Sequence, residues 1–195
     1  MKLFFKKVNK SEQGFTLVET LIALAVFSVS ILGLMSVLSQ GISDTNYAKK
    51  KNTATYLAQE GIEYIRNIRD TYVLYSTDGP TGWSAFNTKM TESPALCQEA
   101  SGCYFDDQDL NYDNQEQPIA GIFMIACGAT CAPLLYDSTT GKYNYVTGEN
   151  SGFTRKIQVT LINTNETQVS STVSWTQKSG TYQMTFYENL FNWVE

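Results

Sequence analysis

Gly14-Phe15-Thr16-Leu17-Val18-Glu19-Thr20-Leu21-Ile22-Ala23-Leu24 is the stretch around which the chain is organised. Before it stands a short leader in which Lys2, Lys6, Lys7 and Lys10 face only Glu12. After it, Thr20 through Ser43 carries no charged residue and is rich in Leu, Val, Ile and Ala. A helix needs about 20 apolar residues to cross a bilayer, so this run is long enough. Glu19 is its odd member. An ionisable group at the centre of a membrane helix costs roughly 2.5–3.5 kcal/mol on insertion scales. Near the end of a span the cost is smaller, but a lone carboxylate there still wants a partner. Positive charge beside a span stays cytoplasmic. The leader is therefore expected inside the cell, with a single pass through the lipid bilayer of the inner membrane and the C-terminal part exported.

The order of these parts is informative. A secretory signal carries its apolar region before a small-residue cleavage site. Here the apolar region follows the Gly14–Phe15 junction, so a cut at that junction keeps it. A basic leader, Gly then Phe, Glu as the fifth residue from the junction and then a long apolar run resembles the N-terminus of type IV prepilins and the related pseudopilins. The resemblance implies cleavage between Gly14 and Phe15 by a membrane prepilin peptidase, followed by N-methylation of Phe15. The new α-amine has an ordinary pKa of about 7.7–8.0 and is largely cationic at neutral pH. Phe15 and Glu19 are four positions apart and would share a face if both were helical. Glu19 can then pair with its own amine or with that of a neighbour. In the family the second pairing sets register during assembly. The plainer reading of Glu19 is an interfacial residue favoured by the helix dipole. Many major pilins carry a proline inside the apolar helix, whereas this chain has none before Pro80, and Ser36 stands at the matching position. Gly33 is the residue nearby that weakens the helix interior.

Beyond Ser43 the pattern changes without a break. Ala54, Leu57, Ala58, Gly61, Ile62, Ile65 and Ile68 follow the i, i+3, i+4, i+7 spacing of an amphipathic helix. One helix is expected over residues 15–70, membrane-spanning over 15–43 and amphipathic over 44–70, roughly 80 Å long. Lys49, Lys50 and Lys51 mark the way out of the membrane. The phrase Leu57-Ala58-Gln59-Glu60-Gly61-Ile62-Glu63-Tyr64-Ile65-Arg66 also resembles this region in minor pilins and minor pseudopilins. Residues 71–118 read as a loop-rich insertion, with Asp78-Gly79-Pro80-Thr81-Gly82 as a turn cluster. In it Trp83 and Phe86 are expected to pack on the helix. Asp106, Asp107, Asp109, Asp113 and Glu116 form an acidic run. Calcium is the functional reading of such oxygen ligands, but the EF-hand pattern is missing and a solvated loop is preferred. Residues 119–195 read as an antiparallel sheet, with Val169, Ser171, Val173 and Trp175 on one face and Asn189–Glu195 as a short ending. The expected fold class is α+β and pilin-like, a long N-terminal helix packed on an antiparallel head.

Composition narrows the functions. The chain has 195 residues and no histidine, which removes the usual general base and the commonest metal ligand. Removing residues 1–14 takes four of the 14 Lys and Arg and one of the 19 Asp and Glu, leaving a formal charge of −8. A nucleic-acid surface needs clustered Lys and Arg, so none is expected. Cys97, Cys103, Cys127 and Cys131 suit disulfides in an exported domain, since neither spacing is the usual zinc pair. Three connectivities are open; 97–103 with 127–131 is favoured and cross-pairing comes next. No cofactor, no metal and no catalysis are expected, for neither a nucleophile-elbow nor a P-loop pattern is present. The resemblance implies a minor pilin that assembles with other pilin or pseudopilin subunits through an inner-membrane assembly platform. The alternatives are a minor pseudopilin of a type II secretion system and a binding module at a fibre tip.

Overall fold

A computed structural model describes residues 14–76, 78–106, 124–177 and 180–192. The fold is α+β. Helix α1 covers Leu17–Tyr75 and α2 covers Gly79–Thr91. The strands are β1 (Cys103–Phe105), β2 (Met124–Ala126), β3 (Pro133–Asp137), β4 (Lys142–Asn144), β5 (Glu149–Asn163), β6 (Glu166–Gln177) and β7 (Gly180–Phe191). The chain divides into two units, one ending at Asn46 and the other beginning at Tyr47.

In the first unit, residues 14–46 are exposed throughout. The helix is long and apolar enough to cross a membrane. Two of its serine hydroxyls are satisfied inside the helix. Ser28 Oγ donates to the Leu24 carbonyl and Ser30 Oγ to the Val26 carbonyl, each at 2.8 Å. Without water in a bilayer core, such internal bonds are what makes a hydroxyl tolerable there.

In the second unit, the rest of α1 lies on one face of the sheet. All described strand pairs are antiparallel, with β7–β6–β5 as the long part and both β1–β2 and β3–β4 joined to the far edge of β5. The helical stripe is buried as its spacing requires: Ala54, Leu57 and Ala58 pack with Leu134, Phe153, Val173 and Trp175, while Ile62, Ile65 and Ile68 pack with Phe105, Ile157, Val159 and Val169. Gly61 sits between these clusters. A Cβ there would run into Ser171 Oγ and meet Ile157 Cδ1 at 3.0 Å. Glycine thus sets how closely α1 approaches β5 and β6.

Arg155 is the charged exception on the inner face of β5, only 3 % exposed. Its Nη1 donates to Glu60 Oε2 at 2.7 Å and to the Leu57 carbonyl at 3.4 Å, and its guanidinium lies 4.9 Å from the Phe105 ring centre. A buried cation is tolerable when paired and hydrogen-bonded. On the other flank of α1, Arg66 donates bidentately to Glu188 of β7 at 2.6 and 2.7 Å and also to Glu63. The Glu188 bond raises the Arg66 pKa above its ordinary value.

The structure differs from the sequence reading in three places. Helix α1 runs on to Tyr75, and the supposed turn at 78–82 opens α2. Asp78 caps that helix, its Oδ1 accepting from Thr81 N at 2.7 Å, and Pro80 sits in the first turn, where its missing N–H costs nothing. Residues 71–106 are therefore not mainly loop. Trp83 and Phe86 are buried on α2, with Trp83 Nε1 donating to the Thr164 carbonyl at 2.8 Å. The supposed short ending carries strand as far as Phe191, with Leu190 buried. Asp106 accepts from Tyr145 N at 3.2 Å. The calcium reading of Asp107, Asp109, Asp113 and Glu116 lies outside the described residues, as do Ile119–Phe123 and Trp193.

Cys97 is bonded to Cys103 and Cys127 to Cys131, and no cysteine is free. The first bridge is fully buried beneath α2, and the second closes the turn between β2 and β3.

Candidate functional site: the N-terminal segment

Gly14, Phe15 and Thr16 precede the helix, which begins at Leu17. The backbone N–H of Glu19 donates to Thr16 Oγ1 at 3.3 Å, and that of Thr20 to the Thr16 carbonyl at 3.2 Å. Thr16 is thus the N-cap. It satisfies donors that the first turn leaves without an intrahelical partner. Thr-x-x-Glu is also the sequence of a capping box, a signal that identifies Thr16 from sequence and that the reading above passed over.

This cap changes the expected relation of Phe15 and Glu19. Phe15 lies before the cap, so the two residues do not share a helical face. Phe15 is 79 % exposed and Glu19 is exposed in the first turn. Among the described residues, the Glu19 carboxylate has no hydrogen-bond or ion-pair partner. It stands at the positive end of the helix dipole, which favours a carboxylate. The arrangement offers one negative group and one accessible junction at the head of an apolar cylinder. Among the described residues, no cluster of metal-binding side chains lies beside them.

The head contributes no comparable chemical centre among the described residues. Its shifted groups have structural causes. Burial raises the hydroxyl pKa of Tyr72, Tyr143 and Tyr145, while hydrogen bonds from Thr81 lower that of Asp78 and bonds from Thr139 and Thr140 lower that of Asp137.

Residues 9–35 match the family model of the prokaryotic N-terminal methylation motif. No curated protein and no solved structure matches the chain. The match covers Gly14, Phe15, Thr16, Glu19 and the first half of the exposed span. It supports a type IV pilin-like chain held in a membrane by its N-terminal apolar helix.

Proposed function

We propose that this chain is a minor pilin: a prepilin peptidase cuts between Gly14 and Phe15, Phe15 is N-methylated, and the subunit assembles with other pilins into a type IV pilus-like fibre. The role is structural, not catalytic. One observation carries the reading: the exposed apolar segment of α1 inside a methylation-motif match bears a carboxylate, Glu19, that has no partner among the described residues. Burial among like helices would cover the apolar surface when the subunit leaves the lipid. A neighbour's cationic amine would meet Glu19 at the helix end, where no described residue of its own subunit pairs with it. The same features serve a minor pseudopilin of a type II secretion system, which is the second reading.

Glu19→Ala separates pairing from anchoring. Removing a charge from the end of a span leaves membrane insertion intact or improves it. Fibre incorporation should fall, since the neighbour's amine loses its partner. The ratio of membrane-bound to sheared-fibre protein, at equal expression, reads both effects. A variant that enters fibres as well as wild type reduces Glu19 to an interfacial residue.

A further inference from the structure

We infer that Lys49, Lys50 and Lys51 form a docking surface for the phosphates of anionic phospholipids in the bilayer around α1; this goes beyond the fibre reading and needs only the membrane one. Without residues 1–14 the chain has a formal charge of −8, yet three of its remaining ten Lys and Arg stand in a row here. An acidic protein as a whole is repelled by an anionic surface. This row is where the sign reverses.

The chain itself does not neutralise the row. Among the described residues, none of the three ammonium groups is in an ion pair. Asp44 is the only carboxylate between Thr20 and Gln59, and its Oδ1 already accepts from Gln40 Nε2 at 2.9 Å. The two strand ends that touch Tyr47 and Lys50 bring none, for Thr167–Gln177 of β6 and Gly180–Tyr187 of β7 contain no Asp or Glu. Tyr47 packs there on Trp175 and Tyr182, with ring centres 6.3 and 5.1 Å apart. Lys50 is half-buried, and its Nζ donates to the Thr176 carbonyl at 3.0 Å, which fixes it against the sheet. Lys49 and Lys51 stand about 100° to either side of it around the helix, and both are exposed. The cations thus form a collar. A partner facing one side of the helix would meet one free lysine, whereas surrounding headgroups meet both.

Position selects the lipid. Lys49 follows Ser43, the last residue of the uncharged run, by a helical rise of about 9 Å. The polar layer on each side of a bilayer is about 5–8 Å deep. A lysine stem bends back along apolar surface and keeps its ammonium at the level of that layer. Membrane orientation does not account for the row, because lysines at this end of the span oppose the orientation that the leader's lysines favour. An anionic headgroup supplies the missing counter-charge, and strengthens association about fivefold for each lysine near the surface.

Amine labelling of the full chain in lipid nanodiscs tests this, with each lysine read separately by peptide mass. Lys89 of α2 is the reference. It lines a groove with Tyr72, which lies about 30 Å further along α1 than Lys51. In discs of phosphatidylcholine alone, the ratio of labelling at Lys49 and Lys51 to that at Lys89 sets the baseline. With phosphatidylglycerol mixed in, that ratio should fall about fivefold. Salt at about 1 M screens charges beyond about 3 Å and should restore it. Equal ratios in the two kinds of disc overturn the proposal. So does protection that appears only in membranes from cells with the complete fibre system, which would assign the row to another subunit. A chain that does not enter the discs overturns it through the membrane reading, and the empty disc fraction tells that failure from the others.

Discussion

Two residues fix distances that no general pattern sets. Glu19 puts a lone carboxylate at the end of an exposed apolar helix, and Gly61 puts no side chain where α1 meets the sheet. Gly61→Val should destabilise the head by about 1–3 kcal/mol, the usual range for overpacking a filled core. Ser171→Gly removes the nearest obstacle and should restore part of that loss. Thermal unfolding of the two single variants and the double variant checks the coupling; additive effects would show that Ser171 does not limit the approach. Arg155 shows why some residues were not legible. A lone arginine in an alternating strand reads as outward-facing, and its partner Glu60 lies far away in sequence, so only the fold reveals the pair. Glu19 was legible because a charge at the start of an uncharged run stands out in any frame. Thr16 was not singled out, although its capping-box spacing to Glu19 marks it.

At the scale of elements, α1 was readable because its apolar spacing at 54–68 has the helical period, and β5 and β6 because theirs has a period of two. Helix α2 was not. Its opening Asp-Gly-Pro-Thr-Gly has turn composition, and the same residues serve equally as N-cap and first turn. The cap has a pH signature. Hydrogen bonds from Thr81 hold the Asp78 carboxyl below its ordinary value. A pKa lower in the folded than in the unfolded state gives stability that is present above the unfolded value of about 3.9 and lost as pH falls through the folded value. Asparagine caps about as well as aspartate but does not titrate. Asp78→Asn should therefore leave neutral-pH stability nearly unchanged and weaken the loss of stability below about pH 4. Melting temperatures at neutral and acid pH measure the slope. An acid limb as steep as that of wild type would assign the loss to other carboxylates, Asp137 first, which is held low in the same way.

The whole molecule combines a helix long and apolar enough to cross a membrane with an acidic head stapled by two short disulfides. Thiol labelling of the denatured, unreduced protein should find no reactive cysteine. Replacing Cys97 and Cys103 should cost about 2–5 kcal/mol, the usual range for removing a native bridge from a small secreted domain; four reactive thiols in the unreduced protein would contradict both expectations. The claim on which the rest depends is that this helix is matured at its head and carried into a fibre. The intact mass of the protein in the sheared-fibre fraction measures both at once. A chain that begins at Phe15 and carries one added methyl group is the expected result. A chain that keeps residues 1–14, or one found in membranes and never in that fraction, would contradict the account.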